Sequence, residues 1–68
     1  MPNHFAKNFK KLRLNKGFTQ QQLAAHLKIS RPNIGSYEES RAEPSFDRLI
    51  QIADLFKISI DELLKTEL

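Results

Sequence analysis

Thr19 to Glu38 read TQQQLAAHLKISRPNIGSYE, and this stretch decides the fold. Leu23, Ala24 and Leu27 repeat at helical spacing, and Ile34 and Tyr37 begin a second apolar stripe three residues apart. Thr19 offers an N-cap hydroxyl, and Gln22, three positions on, completes a capping box. Ser30 is expected to cap the second helix, with Pro32 in its first turn, where the missing N–H does no harm. Only a tight turn fits between them. Ala24 is small where the two helices cross, and Ile29 plugs the turn between Leu27 and Ile34. This pattern locks two short helices near a right angle. Burying it turns Arg31, Pro32, Gly35 and Ser36 outward and leaves Asn33 at the margin.

Working upstream, Phe5, Phe9 and Leu12 are spaced i, i+4, i+7 and predict a helix from Asn3 or Phe5 to Lys16. Gly17 should end it in the left-handed conformation. Downstream, Glu39 to Pro44 read as a polar loop. Ser45 then caps a fourth helix whose expected buried face is Phe46, Leu49, Ile52, Ala53 and Phe56. Ser59 and Glu62 form a second capping box that opens a short fifth helix, with Ile60, Leu63 and Leu64 apolar. Leu63, Leu64 and Leu68 are candidates for an exposed dimer seam, or for packing onto Phe5 or Phe56. Leu27-Lys28-Ile29-Ser30 and Phe56-Lys57-Ile58-Ser59 are alike, which reads as one good connector used twice. Strand signals are absent. The expectation is an all-α domain of five helices over residues 1–68, with the two-helix unit at about 20–39.

Composition narrows the function. A chain of 68 residues supports one small core, and without cysteine no disulfide or thiolate site can supplement it. No apolar run reaches membrane-spanning length, so the expected compartment is the cytoplasm. His4 and His26 have no neighbouring acid at a metal or triad spacing. Asp61 and Glu62 fall in a first helical turn, where the dipole and the cap account for them. No catalytic residue, metal, cofactor or small-molecule site is therefore expected, and the chain does not read as an enzyme. The first helix is basic and amphipathic, as membrane-surface helices are. Phe9 and Leu12 are needed for the core, however, which argues against a membrane partner.

Charge is unevenly spread. Residues 1–37 carry Lys7, Lys10, Lys11, Arg13, Lys16, Lys28 and Arg31 with no acid. Residues 38–68 hold all eight acids against Arg41, Arg48, Lys57 and Lys65. A basic half suits a polyanion as well as it suits a plain solvated face. A second helix of about nine residues would span ~13 Å, which suits the ~12 Å width of a DNA major groove.

Leu12-Arg13, Lys16-Gly17-Phe18-Thr19-Gln20, Leu23-Ala24, Ser30-Arg31, Ile34, Tyr37-Glu38 and Pro44-Ser45 together resemble the phage-repressor and Cro family of helix-turn-helix domains, also called the xenobiotic-response-element (XRE) family. Leu49, Ile52-Ala53, Ile58-Ser59 and Asp61-Glu62-Leu63 extend the match over nearly the whole chain. The resemblance implies a lambda-repressor-like five-helix domain of bacterial or phage origin. It also implies a cytoplasmic, nucleoid-associated regulator, in most cases a repressor, bound to double-stranded operator DNA as a homodimer on a palindrome. The same domain could serve a DNA-binding antitoxin or a module of a larger regulator.

Carried over by position, Gln20 would contact phosphate, and Arg31, Pro32 and Ser36 would face base edges. Asn33 and Tyr37 would reach phosphate, and Arg41 the backbone or minor groove. Arg31 has the best chemistry for a base, since its fork matches both guanine acceptors, although a phosphate contact competes. Pro32 can only pack on a thymine methyl, and helix initiation explains it as well. The resemblance also implies a buried pair between Arg13 and Glu38. Departures are Lys28 where glycine is frequent in the turn, Glu39-Ser40 where Asn-Gly is usual, and Gly35 within the helix.

Overall fold

The computed structural model describes residues 3–68; the first two positions of the expected domain lie outside the described residues. Five helices follow in order: α1 (Phe5–Asn15), α2 (Gln20–Leu27), α3 (Arg31–Glu38), α4 (Phe46–Phe56) and α5 (Ile60–Lys65). α2 packs on α3, α1 packs on both α3 and α5, and α4 packs on α5. Phe9, Leu23, Ala24, Leu27, Ile34, Ile52 and Leu63 are buried at the centre. Phe5, Leu49 and Phe56 close the core from the sides, and Leu12, Ile29 and Tyr37 pack against it half-buried.

Caps set the helix boundaries. Thr19 Oγ1 accepts from the Gln22 amide at 3.0 Å, and Gln22 Oε1 accepts from the Thr19 amide at 2.8 Å. Ser59 and Glu62 make the same reciprocal pair at 3.0 and 3.1 Å. Ser45 Oγ accepts from the Arg48 amide at 3.1 Å. Ser30 departs from expectation. It occupies the N-cap position of α3, but its side chain makes no capping bond. Pro32 has no N–H to offer, and the Asn33 amide donates instead to the Ser30 backbone carbonyl at 3.1 Å.

Four helix ends reverse through a left-handed residue, and only Gly17 (φ 77°) is glycine. Lys28 (φ 59°), Ser40 (φ 60°) and Lys57 (φ 57°) fill the other three. The two similar connectors fold alike. Ile29 N–H reaches the Ala24 carbonyl at 3.0 Å, and Ile58 N–H reaches the Ala53 carbonyl at 3.0 Å. Each isoleucine drops onto the core beyond its bend, the hydrophobic contact that accompanies this helix ending.

Two further expectations are corrected. Phe46 is 83% exposed and not part of the buried face of α4. It is the first residue of that helix and sits one turn before the buried Leu49, at the open end of α4. Leu63 is fully buried and cannot belong to an exposed seam.

Two polar clamps add to the expected contacts. Asn8, 2% exposed on α1, donates Nδ2 to the carbonyls of Leu63 (2.8 Å) and Thr66 (2.7 Å). Its Oδ1 accepts from the Leu68 amide at 3.1 Å. One side chain thus satisfies the free carbonyls at the end of α5 and fixes that end to α1. On α4, Arg48 Nη1 and Gln51 Nε2 both donate to the Leu27 carbonyl, at 3.0 and 3.1 Å, closing the end of α2.

Candidate nucleic-acid interface

Ile34 is the buried residue of α3, and it sets the orientation of the rest. With Ile34 in the core, Arg31, Pro32 and Asn33 stand exposed, and Gly35 and Ser36 are half-buried. Tyr37 is half-buried and meets the rings of Phe5 and Phe9 edge-on, with centroids 6.0 and 5.8 Å away. Its ring is part of the packing of α3 on α1. Arg41 lies in the exposed loop after α3, with Nε 3.0 Å from Glu39 Oε1. Exposure leaves that pair little net stability, since water competes for both charges.

Beneath this surface lies the Arg13–Glu38 pair. Its side chains are 9% and 4% exposed. Arg13 Nε donates to Glu38 Oε2 at 2.6 Å, Nη2 donates to Oε1 at 3.3 Å, and Nη1 donates to the Phe18 carbonyl at 2.9 Å. The fork is bidentate and joins α1 to the end of α3. The carboxylate has one more partner. Gln20 Nε2, at the start of α2, donates to Glu38 Oε1 at 3.1 Å, and Gln20 Oε1 accepts from Arg31 Nη1 at 3.0 Å. An exposed arginine is therefore linked through one amide to a buried ion pair.

Gly35 sits beside this chain of bonds. A Cβ built there would lie 4.0 Å from both Gln20 Nε2 and Arg41 Nη2. The first residue of α2, the middle of α3 and the loop after α3 thus bring an amide and a guanidinium together over a stretch with no side chain. N–H donors and positive charge converging on a shallow face suit an anion such as a phosphate. Of the residues predicted from sequence, Gln20, Arg31 and Arg41 gather on this face with Gly35. Pro32, Asn33 and Ser36 lie along α3.

Other features have structural explanations. His26 stacks on Phe18 with centroids 4.6 Å apart. Among the described residues no group of three His, Asp or Glu side chains is placed to hold a metal, and no helix is long and apolar enough to cross a membrane. A groove of about 90 Å³ runs between α1, the loop before α4 and α5, lined by Phe5, Tyr37, Pro44, Leu49 and Leu64. The exposed Phe46 stands at its edge, next to Pro44 and Leu49.

Comparison with known proteins agrees with this geometry. A family model described as helix-turn-helix matches residues 9–63. An uncharacterized HTH-type transcriptional regulator of Bacillus subtilis (strain 168), YqaE, is 43% identical over 63 residues, 93% of this chain and 54% of the relative. The cryptic phage CTXphi transcriptional repressor RstR of Vibrio cholerae serotype O1 is 42% identical over 45 residues, 66% of this chain and 40% of its own length. The P22 c2 repressor, solved in complex with a synthetic operator, superimposes with a TM-score of 0.84. That match covers 91% of this chain and 94% of the repressor chain at 24% identity, and it establishes a common fold. The chain spans about half the length of the curated relatives it matches, 54% and 56% for two of them.

Proposed function

Because the chain belongs to the helix-turn-helix family, we propose that it binds double-stranded DNA sequence-specifically and regulates transcription, with α3 lying in the major groove. One observation carries the reading. Full burial of Ile34 leaves Arg31, Pro32, Asn33 and Ser36 on the free side of a helix about 12 Å long. A helix of that size fits the groove, and Arg31 can pair with both acceptors of a guanine. The N-terminus of α2, Asn33, Tyr37 and Arg41 hold the flanking phosphates. Pro32 and Ser36 lie against base edges.

A helix this short reads few base pairs, so two copies on a palindrome, about one helical turn (~34 Å) apart, give a usable site. Phe46 and Ile50, 83% and 49% exposed and one turn apart on α4, are apolar side chains available for such pairing, as is Leu14, 57% exposed on α1. Repression is the simplest outcome, since occupancy of a promoter suffices, and the RstR relative is named a repressor. The site of action is then the nucleoid, within the cytoplasm. A second reading is favoured by length. Relatives about twice as long support a role as the DNA-binding module of a larger regulator.

Selection of bound fragments from random duplex DNA tests the proposal. A palindromic preference is expected, with affinity falling by ~0.9 in log K per phosphate neutralised for each tenfold rise in salt. Arg31→Ala should reduce discrimination more than it reduces binding to random DNA. Equal losses on both would move Arg31 to the backbone-contact class, and no enriched sequence at all would refute the reading.

A further inference from the structure

We propose that copies of this chain dock head to tail, the basic face of α1 around Leu14 in one copy seating on the acidic face of α4 around Ile50 in the next. The docking rests on the DNA-binding reading for its template alone, a duplex whose half-sites repeat in one direction and hold successive copies in line.

Leu14 and Ile50 are large apolar side chains left in water, 57% and 49% exposed. Both stand outside the core of their own copy, so neither covers the other. Their surroundings are opposite in sign. On α1, Lys10 and Lys11 precede Leu14 by four and three residues, which places them beside it on the helix surface. On α4, Asp47 and Asp54 flank Ile50, three residues before it and four after. These charged residues are all exposed. Lys10, Asp47 and Asp54 make no ion pair among the described residues, whereas Lys11 donates to the Leu68 carbonyl. Each patch thus has an apolar centre, a rim of one sign and uncommitted charge.

The signs select the occupant. Two copies meeting α4 to α4, or α1 to α1, would set like charges against each other, which disfavours binding. Setting α1 of one copy on α4 of another joins leucine to isoleucine and lysines to aspartates. A contact between unlike patches is heterologous, so it leaves one patch free at each end of the pair and extends into a row. It is distinct from two-fold pairing on a palindrome, for which Phe46, one turn before Ile50, remains. Each patch is far smaller than the ~800 Å² per partner of a stable complex, so free copies stay apart at ordinary concentration. A duplex that holds two of them side by side raises their effective concentration, and the contact then shows as cooperative occupation.

The chain has no cysteine, so introduced cysteines report the contact without background. Cysteine is itself a small apolar residue, and both patches keep their character when it is placed at their centres. Leu14→Cys and Ile50→Cys proteins are mixed at high concentration and low salt, without DNA, and oxidised gently. Disulfides between the two different proteins should exceed chance pairing. The excess should vanish at about 1 M salt, where charges are screened within ~3 Å. Chance pairing, or an excess of like-with-like products, would overturn the proposal and leave these faces to another partner. On DNA, duplexes carrying one half-site, or two in the same direction, are titrated with the spacing stepped by single base pairs. At the best spacing the second copy should bind about tenfold more tightly than the first. Asp54→Lys should remove that gain. Asp54→Lys combined with Lys10→Glu restores opposite signs across the contact and should recover most of it. Reading two sites against one cancels any change in general DNA affinity. No gain at any spacing, or no recovery in the combined variant, would overturn the proposal. Failure to enrich any half-site would defeat the DNA-binding reading instead, and the cross-linking would still decide the contact.

Discussion

Arg13→Ala removes the cation from a pair whose carboxylate is 4% exposed. Glu38 would lose the bonds at 2.6 and 3.3 Å and keep only the Gln20 amide at 3.1 Å. The Phe18 carbonyl would lose its arginine donor as well. The alanine gains at most a few tenths of a kcal/mol in helix propensity, which decides nothing. Leaving one buried charge uncompensated costs about 3–5 kcal/mol. A domain of this size is stable by roughly 3–10 kcal/mol, so the variant should be largely unfolded or melt roughly 15–30 °C lower. Thermal and urea unfolding followed by helical circular dichroism measure this directly. A double variant, Arg13→Met with Glu38→Leu, should regain most of the loss, because replacing both partners leaves no orphaned charge. An Arg13→Ala melt within about 2 °C of wild type would refute the reasoning. It would mean that water or a rearranged Gln20 solvates the carboxylate as well as arginine does.

Three further outcomes follow from the same structure. Asn8→Ala should cost about 2 kcal/mol, since the carbonyls of Leu63 and Thr66 lose their donor, and amide exchange should quicken in α5 before the rest of the domain. Gly35→Ala should raise the melting temperature, by about 0.5–1 kcal/mol of stability, because the added methyl meets only ordinary contacts at 4.0 Å. Phe46→Ser should leave unfolding within about 0.5 kcal/mol of wild type, as the ring is 83% exposed. The same change should weaken binding to a full palindrome while half-site binding is retained, measured by titration of the two duplexes.

Much of the fold was readable because its punctuation is local. Thr19 with Gln22, Ser45, and Ser59 with Glu62 announce helix starts through side chains that bond three residues away. Gly17 announces an ending in the same local way. Ser30 misled only in part: it holds the N-cap position, but the Asn33 amide three residues on bonds its backbone carbonyl and not its hydroxyl. Phe46 misled for a different reason. Period alone cannot tell an apolar residue over the core from an exposed one at the first position of its helix.

For the interface, the outward set on α3 followed from the burial of Ile34, and the Arg13–Glu38 pair from the matching family positions. The bridge through Gln20 could not be read, since it joins residues 18 and 11 positions apart across two helices. Asn8 did leave a signal. It falls on the stripe of Phe5, Phe9 and Leu12, where a polar side chain needs a partner in the core.

The Asn8 clamp brings positions 8 and 68 into direct contact. The backbone adds to it, with the His4 amide donating to the Leu64 carbonyl at 2.9 Å. Those two bonds hold the segments around residues 4 and 68 together, so a linking peptide between them would close the chain into a ring. Such a ring would deny the unfolded chain the freedom of about 60 residues, worth about 4 kcal/mol by loop-closure entropy. A cyclised form should then outlast the open chain in heat while presenting the same face of α3.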